Sequence, residues 1–124
     1  MSKIAIIEDE TIIADMYRLI LENAGYDCVV ANNGTQALQI IESSKPDLIM
    51  LDLLLPDISG DQVLTHMRKT DWGKDIKVVV MTNLSQEKVP IGLKRLGVSH
   101  YMYKADCMPK DIIKLVRSLI KQKA

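Results

Sequence analysis

The sequence predicts an α/β fold, in which one parallel five-stranded sheet is covered by helices on both faces. Three observations support this prediction. Short apolar runs alternate along the chain with segments of helical periodicity. The runs contain few polar side chains, which is typical of strands buried on both faces, and Gly, Pro or Asn marks most of the breaks between segments. We expect one domain that spans residues 1–124, since a chain of this length can bury its own core.

The five strands are predicted from short apolar runs rich in β-branched residues. These runs cover residues 3–7, 28–31, 47–51, 77–82 and 100–103. The third run is followed directly by Asp52, a single carboxylate at the end of an apolar strand. Because ligands of open α/β sheets bind at the carboxyl ends of the strands, Asp52 is the first candidate functional residue.

The helices are predicted from apolar residues spaced three and four apart. They cover about 11–24, 35–43, 60–70 and 85–96, and a last helix begins at Pro109. The first and last helices are expected to bury one apolar stripe each, formed by Ile12, Ile13, Met16, Leu19, Ile20 and Ala24 and by Ile112, Val116, Leu119 and Ile120.

The helix at 85–96 is the weakest of the five. In a helix interior Pro90 would cost about 3 kcal/mol and Gly92 about 1 kcal/mol, so we expect this helix to begin near Lys88, with Pro90 in its first turn. Two interpretations stay open. Either the helix has two nearly balanced arrangements, or tertiary packing overrides these residues and stabilises it.

The alternation of strand and helix favours a doubly wound parallel sheet with helices on both faces, since connections between parallel strands are right-handed helical crossovers. We predict a flavodoxin-like (βα)5 sandwich with strand order 2-1-3-4-5. In this order strands 1, 3, 4 and 5 are neighbours, and their carboxyl ends meet at one edge.

Composition narrows the range of partners. Lys plus Arg and Asp plus Glu number 16 each, so no global charge favours nucleic acid or a membrane surface. The basic residues from Lys110 to Lys123 are interpreted as a solvated helix face. No apolar stretch approaches the roughly 20 residues that cross a bilayer, and Cys28 and Cys107 lack a metal-binding pattern. We expect a cytoplasmic protein with reduced thiols, no direct nucleic-acid contact and no membrane contact.

Polar residues end four of the predicted strands. Glu8 and Asp9 follow strand 1, Asp52 follows strand 3, Thr82 ends strand 4 and Lys104 follows strand 5. Taken singly, each has an ordinary explanation as a turn, strand-end or surface residue. Together they place three carboxylates at one edge, where their repulsion favours a bound cation. Mg²⁺ suits a site with few carboxylates and room for phosphate oxygens.

This set of residues is suited to phosphoryl transfer. Asp52 could attack a phosphoryl group as a carboxylate nucleophile, and a metal held by Glu8, Asp9 and Asp52 would offset the charge on that group. Lys104 would supply a compact cation to the phosphoryl oxygens. Thr82 would donate its hydroxyl to one of them.

With these residues in place, the sequence closely resembles the receiver domain of response regulators in two-component signalling. The resemblance extends over essentially the whole chain and includes Pro56 and Gly60, which follow Asp52 at intervals of four residues. It implies that Asp52 accepts a phosphoryl group from the phosphohistidine of a sensor histidine kinase or a histidine phosphotransfer protein, with Mg²⁺ required. It also implies that the backbone carbonyl of Leu54 is a further metal ligand, and that Thr82 and Tyr101 are the switch residues.

Three positions depart from the commoner pattern of that family. Glu8 replaces an aspartate and keeps its charge, and Asn83 stands where a smaller residue is usual. Ala105 follows Lys104 where a proline in a cis peptide is usual; because a cis bond before a non-proline residue costs about 2.5–4 kcal/mol, we expect a trans bond or a strained loop. Leu54 and Leu84 occupy the two variable positions that flank the acceptor pocket. Neither can orient a water molecule by hydrogen bonding, so slow self-dephosphorylation is expected.

The resemblance implies a signalling switch rather than an enzyme with a separate substrate. Its output surface would be formed by the fourth helix, the fifth strand and the fifth helix, and would contact a downstream protein or a fused output domain, or form a homodimer after phosphorylation. An alternative is a Mg²⁺-dependent phosphohydrolase with an aspartyl-phosphate intermediate. That class places a second aspartate two residues after the nucleophile, where this chain has Leu54. A nucleotide-binding module is less favoured, because no Gly-rich loop follows strand 1.

Overall fold

The computed structural model describes residues 2–83 and 91–120. It contains one sheet of five parallel strands in the order β2-β1-β3-β4-β5, which confirms the predicted fold class and strand order. The strands are β1 (Lys3–Ile7), β2 (Asp27–Ala31), β3 (Leu48–Asp52), β4 (Lys77–Thr82) and β5 (Val98–Tyr103). The α-helices are α1 (Thr11–Asn23), α2 (Gly34–Ser44), α3 (Gly60–Arg68) and α4 (Pro109–Leu119). None of the helices in the described part is long and apolar enough to span a membrane.

The register of the sheet aligns the carboxyl ends of the central strands. Ile7 is paired with Leu51, so Glu8 leaves the sheet beside Asp52. Asp52 is paired in turn with Met81, the residue before Thr82. Because all the strands are parallel, the residues that follow them share one edge of the sheet, which is where the candidate site lies.

Two apolar clusters, one on each face of the sheet, hold the helices in place. One cluster packs α2 and α3 through side chains such as Ile41, Leu64 and Met67, and also includes Leu93. The other packs α1 and α4 through side chains such as Leu21 and Val116. Strand β3 is buried along its whole length, as expected for a central strand covered on both faces.

The predicted buried stripe of α1 is partly wrong. Ile12, Met16 and Leu19 are exposed, whereas Ala14, Tyr17 and Leu21 form the buried face. Both sets have helical spacing, so periodicity alone could not distinguish them. Of the predicted stripe, Ile13, Ile20 and Ala24 do pack against the cluster on this face. The stripe of α4 is confirmed, since Ile112, Val116 and Ile120 are buried and Leu119 packs beside them.

The predicted fourth helix also differs from the structure. Residues 84–90 lie outside the described part, and Ile91–Leu96 form a 3-10 helix instead of the end of an α-helix. Gly92 lies in this segment, and Gly97, with a φ of 74°, follows it. Gly92 disfavours a regular helix, because glycine is a poor helix former. Gly97 readily adopts the left-handed conformation, because glycine has no Cβ.

Arg68, at the end of α3, connects this 3-10 helix to the rest of the molecule. Its guanidinium donates hydrogen bonds of 2.7–3.2 Å to five backbone carbonyls, those of Leu96, Gly97, Gly73, Lys74 and Ile76. Burial lowers the pKa of Arg68, although the Asp75 carboxylate partly opposes this effect. The planar guanidinium therefore fixes the loop before β4 and the turn before β5 relative to each other.

Candidate functional site

Asp52 is the last residue of β3, and its carboxylate is buried at the edge of the sheet. The backbone N–H of Leu54 donates to Asp52 Oδ1 at 3.0 Å, and Lys104 Nζ lies 2.9 Å from Oδ2. The chain returns so closely at Gly60 that a Cβ there would lie 2.3 Å from the Asp52 carbonyl oxygen. Only glycine fits this position without movement of the backbone, so the first residue of α3 helps to define the loop after Asp52.

The acidic pair after β1 completes the cluster. Glu8 is almost fully buried, with 1% of its surface exposed, whereas Asp9 is exposed. Lys104 Nζ lies 2.5 Å from Glu8 Oε1 and so bridges the carboxylates of Glu8 and Asp52. Carboxylate oxygens of Glu8, Asp9 and Asp52 lie within 4.8 Å of one another. The structure therefore brings together the acidic residues and the lysine that the sequence predicted.

Negative charge exceeds positive charge in this cluster. Burial, together with the neighbouring Asp52 carboxylate, raises the pKa of Glu8 to about 8, although Lys104 opposes the increase. Burial alone would lower the pKa of Lys104, but its hydrogen bonds to Glu8 and Asp52 outweigh this effect and raise the pKa. Three carboxylates thus share one ammonium group, and the site favours the uptake of a proton or of a further cation.

The donor set fits a hard divalent cation. Oxygen Oε2 of Glu8 is buried and lacks a hydrogen-bond partner among the described residues. An unpaired buried carboxylate oxygen is costly, and a metal ion would satisfy it. Mg²⁺ and Ca²⁺ prefer carboxylate oxygens as ligands more strongly than the soft transition metals do.

The other predicted site residues lie around this cluster. Thr82 ends β4 and is buried, with 4% of its surface exposed. Leu54 is 60% exposed and Asn83 is also exposed, and each lies one or two residues after the site residue that ends its strand. Leu84 lies outside the described residues.

The segment after β5 departs from the geometry of a cis-proline loop. The peptide between Lys104 and Ala105 is trans, and Lys104–Asp106 form a short 3-10 helix. Lys104 nevertheless reaches both Glu8 and Asp52. The trans bond is one of the two outcomes expected from the sequence.

Tyr101 lies on β5 with its ring packed against the cluster that holds α2 and α3. Its hydroxyl is buried without a hydrogen-bond partner in the described part of the chain, and burial raises its pKa. The side chain therefore points into the protein, and its hydroxyl has capacity for a further hydrogen bond.

Sequence reasoning missed three residues near the site. Tyr17 lines the space beneath the cluster together with Glu8, Asp52 and Lys104, and burial raises its pKa to about 12. Asn32 and Asp57 hold the backbone around the acidic residues through hydrogen bonds. Tyr17 could not be found because the exposed stripe of α1 has the same periodicity as the buried face. For Asn32 and Asp57, which resemble ordinary turn residues, the sequence carries no distinguishing signal.

Comparison with known proteins identifies the class to which this site belongs. The response regulator receiver domain family matches residues 4–117 of the chain. The chain therefore belongs to the response regulator receiver domains of two-component signalling systems.

Solved structures agree with this assignment. Chemotaxis protein CheY4 of Vibrio cholerae, crystallized at low pH, has a TM-score of 0.87 at 25% identity, and the match covers 97% of this chain and 99% of that one. Response regulator TrrA of Thermotoga maritima, in complex with Mg²⁺–BeF, has a TM-score of 0.84 at 28% identity, with coverage of 97% and 100%.

Curated relatives are longer than this chain. The phosphate regulon transcriptional regulatory protein PhoB of Pseudomonas aeruginosa is 31% identical over 96% of this chain and 52% of its own length. The DNA-binding regulator RpaA of Synechocystis is 34% identical over 98% of this chain and 50% of its own length. The chain thus spans about half the length of these curated relatives.

Proposed function

We propose that Asp52 is the phosphoryl acceptor of this receiver domain and that Mg²⁺ binds beside it. The carboxylates of Glu8, Asp9 and Asp52, together with the backbone carbonyl of Leu54, would hold the ion. The observation that carries the proposal is the excess of negative charge at a site where three carboxylates meet within 4.8 Å. The bound Mg²⁺–BeF of the Thermotoga TrrA structure supports the same use of the site.

Each residue of the cluster then has a distinct role in the transfer. An oxygen of Asp52 forms a bond to phosphorus while the bond from phosphorus to the donor nitrogen breaks, and that electron pair returns to the imidazole. When Mg²⁺ is bound, it offsets negative charge on the transferring group. Lys104, which already contacts Asp52 Oδ2 at 2.9 Å, moves its ammonium to a phosphoryl oxygen. The hydroxyl of Thr82 donates to another phosphoryl oxygen.

We propose a protein as the phosphoryl donor: a sensor histidine kinase or a histidine phosphotransfer protein that carries phosphohistidine. Large apolar side chains are exposed at the end of β5 and on segments that follow the strands at the same edge of the sheet, namely Tyr103 on β5 and Ile12, Leu54 and Met108 on the segments. Exposed apolar side chains around a charged site suit a protein partner better than a small solute. The partner's histidine would approach Asp52 between these side chains.

The signal would leave through the segment before β5, β5 itself and α4. Phosphorylation adds charge and acceptor oxygens at Asp52, and these would draw Thr82 inward. Tyr101, which packs against the core on the same side of the sheet as Leu93, would report this movement to the surface. We propose a downstream protein or a fused output domain as the receiver of the signal, or a homodimer formed after phosphorylation.

A phosphohydrolase is not favoured by the site. Hydrolysis of many substrate molecules requires a proton donor near the nucleophile, and the residue two positions after Asp52 is the exposed Leu54. The switch would lose its own phosphoryl group slowly, because Leu54 cannot orient an attacking water molecule.

Incubation with acetyl phosphate and Mg²⁺, followed by intact mass spectrometry, tests the proposal. We expect the wild type to gain one phosphoryl group, and Asp52→Asn to gain none. Asp61→Asn, which removes a carboxylate from the first turn of α3, is the matched control and should be phosphorylated like the wild type. Phosphorylation of Asp52→Asn, or no Mg²⁺-dependent phosphorylation of the wild type, would contradict the assignment.

A further inference from the structure

Both segments that carry the candidate metal ligands are tied to the same short turn. This turn, residues 32–36, leads from β2 into the first residues of α2 and is called the α2 turn below. One hydrogen bond connects it to the segment with Glu8 and Asp9, and three connect it to the loop after Asp52. The α2 turn contributes no carboxylate to the site, so its role there can only be indirect.

Asn32 holds the acidic pair. Its side-chain Nδ2 donates to the carbonyl oxygen of Glu8 at 3.0 Å, and this carbonyl belongs to the peptide that joins Glu8 to Asp9. On its other side Glu8 donates its N–H to the carbonyl of Ala31 at 3.0 Å. The side chain of Gln36 accepts from Asn32 N at 2.9 Å and thereby orients the turn. These bonds set the direction in which both carboxylates leave the backbone.

Asp57 holds the loop after Asp52. Its Oδ1 accepts from Gly34 N at 2.7 Å, and its Oδ2 accepts from the N–H and the hydroxyl of Thr35 at 2.9 and 2.6 Å. The base of the loop is closed by a 2.9 Å bond from Gly60 N to the Leu53 carbonyl. Hydrogen bonds therefore hold this loop both at its base and near its middle.

Close packing reinforces the contact between this loop and α2. A Cβ at Gly34 would lie 2.2 Å from Ile58 Cγ1 and 2.9 Å from the Ile58 carbonyl oxygen. Glycine at this position lets the loop lie directly against the first residue of α2. Asp57 can reach the backbone N–H groups there for the same reason.

We propose that Asn32 and Asp57 are positioning residues for the metal site, acting through the α2 turn. Carboxylates gathered without a cation repel one another, and their backbones would move apart unless they were held. Asn32 holds the segment of Glu8 and Asp9, Asp57 holds the segment of Asp52 and Leu54, and the α2 turn keeps the two at a constant separation. The inference rests on the proposed function, because it concerns the same Mg²⁺ site.

Titration calorimetry with Mg²⁺ on the full chain tests the proposal. Asn32→Ala removes the donor to the Glu8 carbonyl, and Asp57→Asn replaces one acceptor oxygen by a nitrogen that cannot accept. Loss of a residue that orients a metal ligand without contacting the metal typically lowers metal affinity by roughly 10-fold or more. We therefore expect each variant to weaken Mg²⁺ binding by about 10-fold. Ile41→Val, which removes one methyl group from the buried face of α2, and Asp61→Asn, which removes a similar charge, should each bind Mg²⁺ like the wild type.

Phosphorylation by acetyl phosphate supplies a readout that loss of stability alone would not produce. In both positioning variants the Mg²⁺ concentration for half-maximal rate should rise by about 10-fold, while the rate at saturating Mg²⁺ should stay within about threefold of the wild type. Variants that bind Mg²⁺ with wild-type affinity would overturn the positioning role and leave the proposed function intact. Reduced affinity in Ile41→Val to the same extent would also overturn it, because general destabilisation would then explain the result. A wild type that binds no Mg²⁺ would overturn the proposed function and this inference together.

Discussion

Replacing Glu8 by Gln should stabilise the protein in the absence of metal and remove most of the stabilisation by Mg²⁺. Glu8 is buried beside Asp52, and its pKa is raised from the ordinary value of 4.5 to about 8. Between these two values the folded state binds more protons than the unfolded state, so stability falls as the pH rises. Glutamine carries no charge, keeps the shape of the side chain and still offers an oxygen to Lys104.

The pKa values set the size of the effect. The difference between 4.5 and about 8 corresponds to an upper limit of roughly 5 kcal/mol at a pH above 8. Water that enters the site and relaxation around the ionised carboxylate reduce this cost. We therefore expect Glu8→Gln to exceed the wild type by about 2–3 kcal/mol at pH 8.5, and by about 1 kcal/mol or less at pH 5.5.

Urea unfolding in EDTA, followed by fluorescence, measures this difference. Trp72 is the only tryptophan and packs against the cluster that holds α2 and α3, so its emission reports unfolding. The difference between the two proteins at each pH isolates Glu8 from all other titrating groups. Added Mg²⁺ should stabilise the wild type much more than the variant, because binding to the folded state alone adds to its free energy of unfolding.

The control is Glu42→Gln, a change of the same chemistry at an exposed position of α2. It should alter stability by less than about 0.5 kcal/mol at either pH. The reasoning is refuted if Glu8→Gln is no more stable than the wild type at pH 8.5, or if the difference does not grow with pH.

Three further predictions concern the neighbouring elements. Arg68→Met removes the donor to five carbonyls, three of them in part-buried hydrogen bonds. It should lower the free energy of unfolding by about 3 kcal/mol, since the part-buried carbonyls lose their partner; urea unfolding checks this value. Gly92→Ala should raise the free energy of unfolding by about 0.5–1 kcal/mol, because a Cβ at Gly92 meets none of the described residues within 4 Å and alanine is the better helix former. Leu54→Asn should shorten the lifetime of the phosphorylated protein several-fold, which intact mass spectrometry can follow after removal of acetyl phosphate.

Each of these variants has a counterpart in the chain. Among the described residues, Arg18→Met disrupts only exposed pairs on α1 and should cost less than about 1 kcal/mol. Gly97→Ala should destabilise the protein, in contrast to Gly92→Ala, because the φ of 74° disfavours a side chain. Leu19→Asn changes an exposed leucine on α1 and should leave the phosphoryl lifetime unchanged. An unchanged or longer lifetime in the Leu54 variant would contradict the role assigned to that position.

Proton and metal binding should compete at the site. Below about pH 8 Mg²⁺ must displace a proton from Glu8, so its apparent affinity should fall as the pH falls. The limit is tenfold per pH unit when one proton is released for each ion. Calorimetry in two buffers with different heats of ionisation would measure the number of protons released, and a value of zero at pH 7 would show that Glu8 is already ionised in the metal-free protein.

The fold and the central residues of the site could be predicted because the relevant signals are local. Apolar runs mark the strands, and in a parallel sheet the residue after each strand must lie at the same edge. These signals predict that Glu8, Asp52 and Lys104 lie close together, and in the structure Lys104 contacts both carboxylates.

Other features depended on contacts between distant segments. The sequence did not show which face of α1 is buried. Met16 and Tyr17 belong to two apolar stripes with the same helical spacing, and only the stripe of Tyr17 is buried. The 3-10 helix before β5 was expected to be α-helical, and it is held by carbonyl contacts with Arg68, which lies 28 residues before Leu96.

By itself, the sequence of this protein determined the succession of strands and helices along the chain and the chemical groups at the ends of the strands, because hydrophobic periodicity is a property of neighbouring residues. Only the tertiary structure decided how these groups are held. Three features arise between segments that are remote in sequence. They are the burial that raises the pKa of Glu8, the hydrogen bond from Asn32 to the Glu8 carbonyl, and the hydrogen bonds by which Asp57 holds the loop after Asp52. Such contacts form when packed elements bring turn residues within hydrogen-bond distance, and the identity of those turn residues does not reveal their partners.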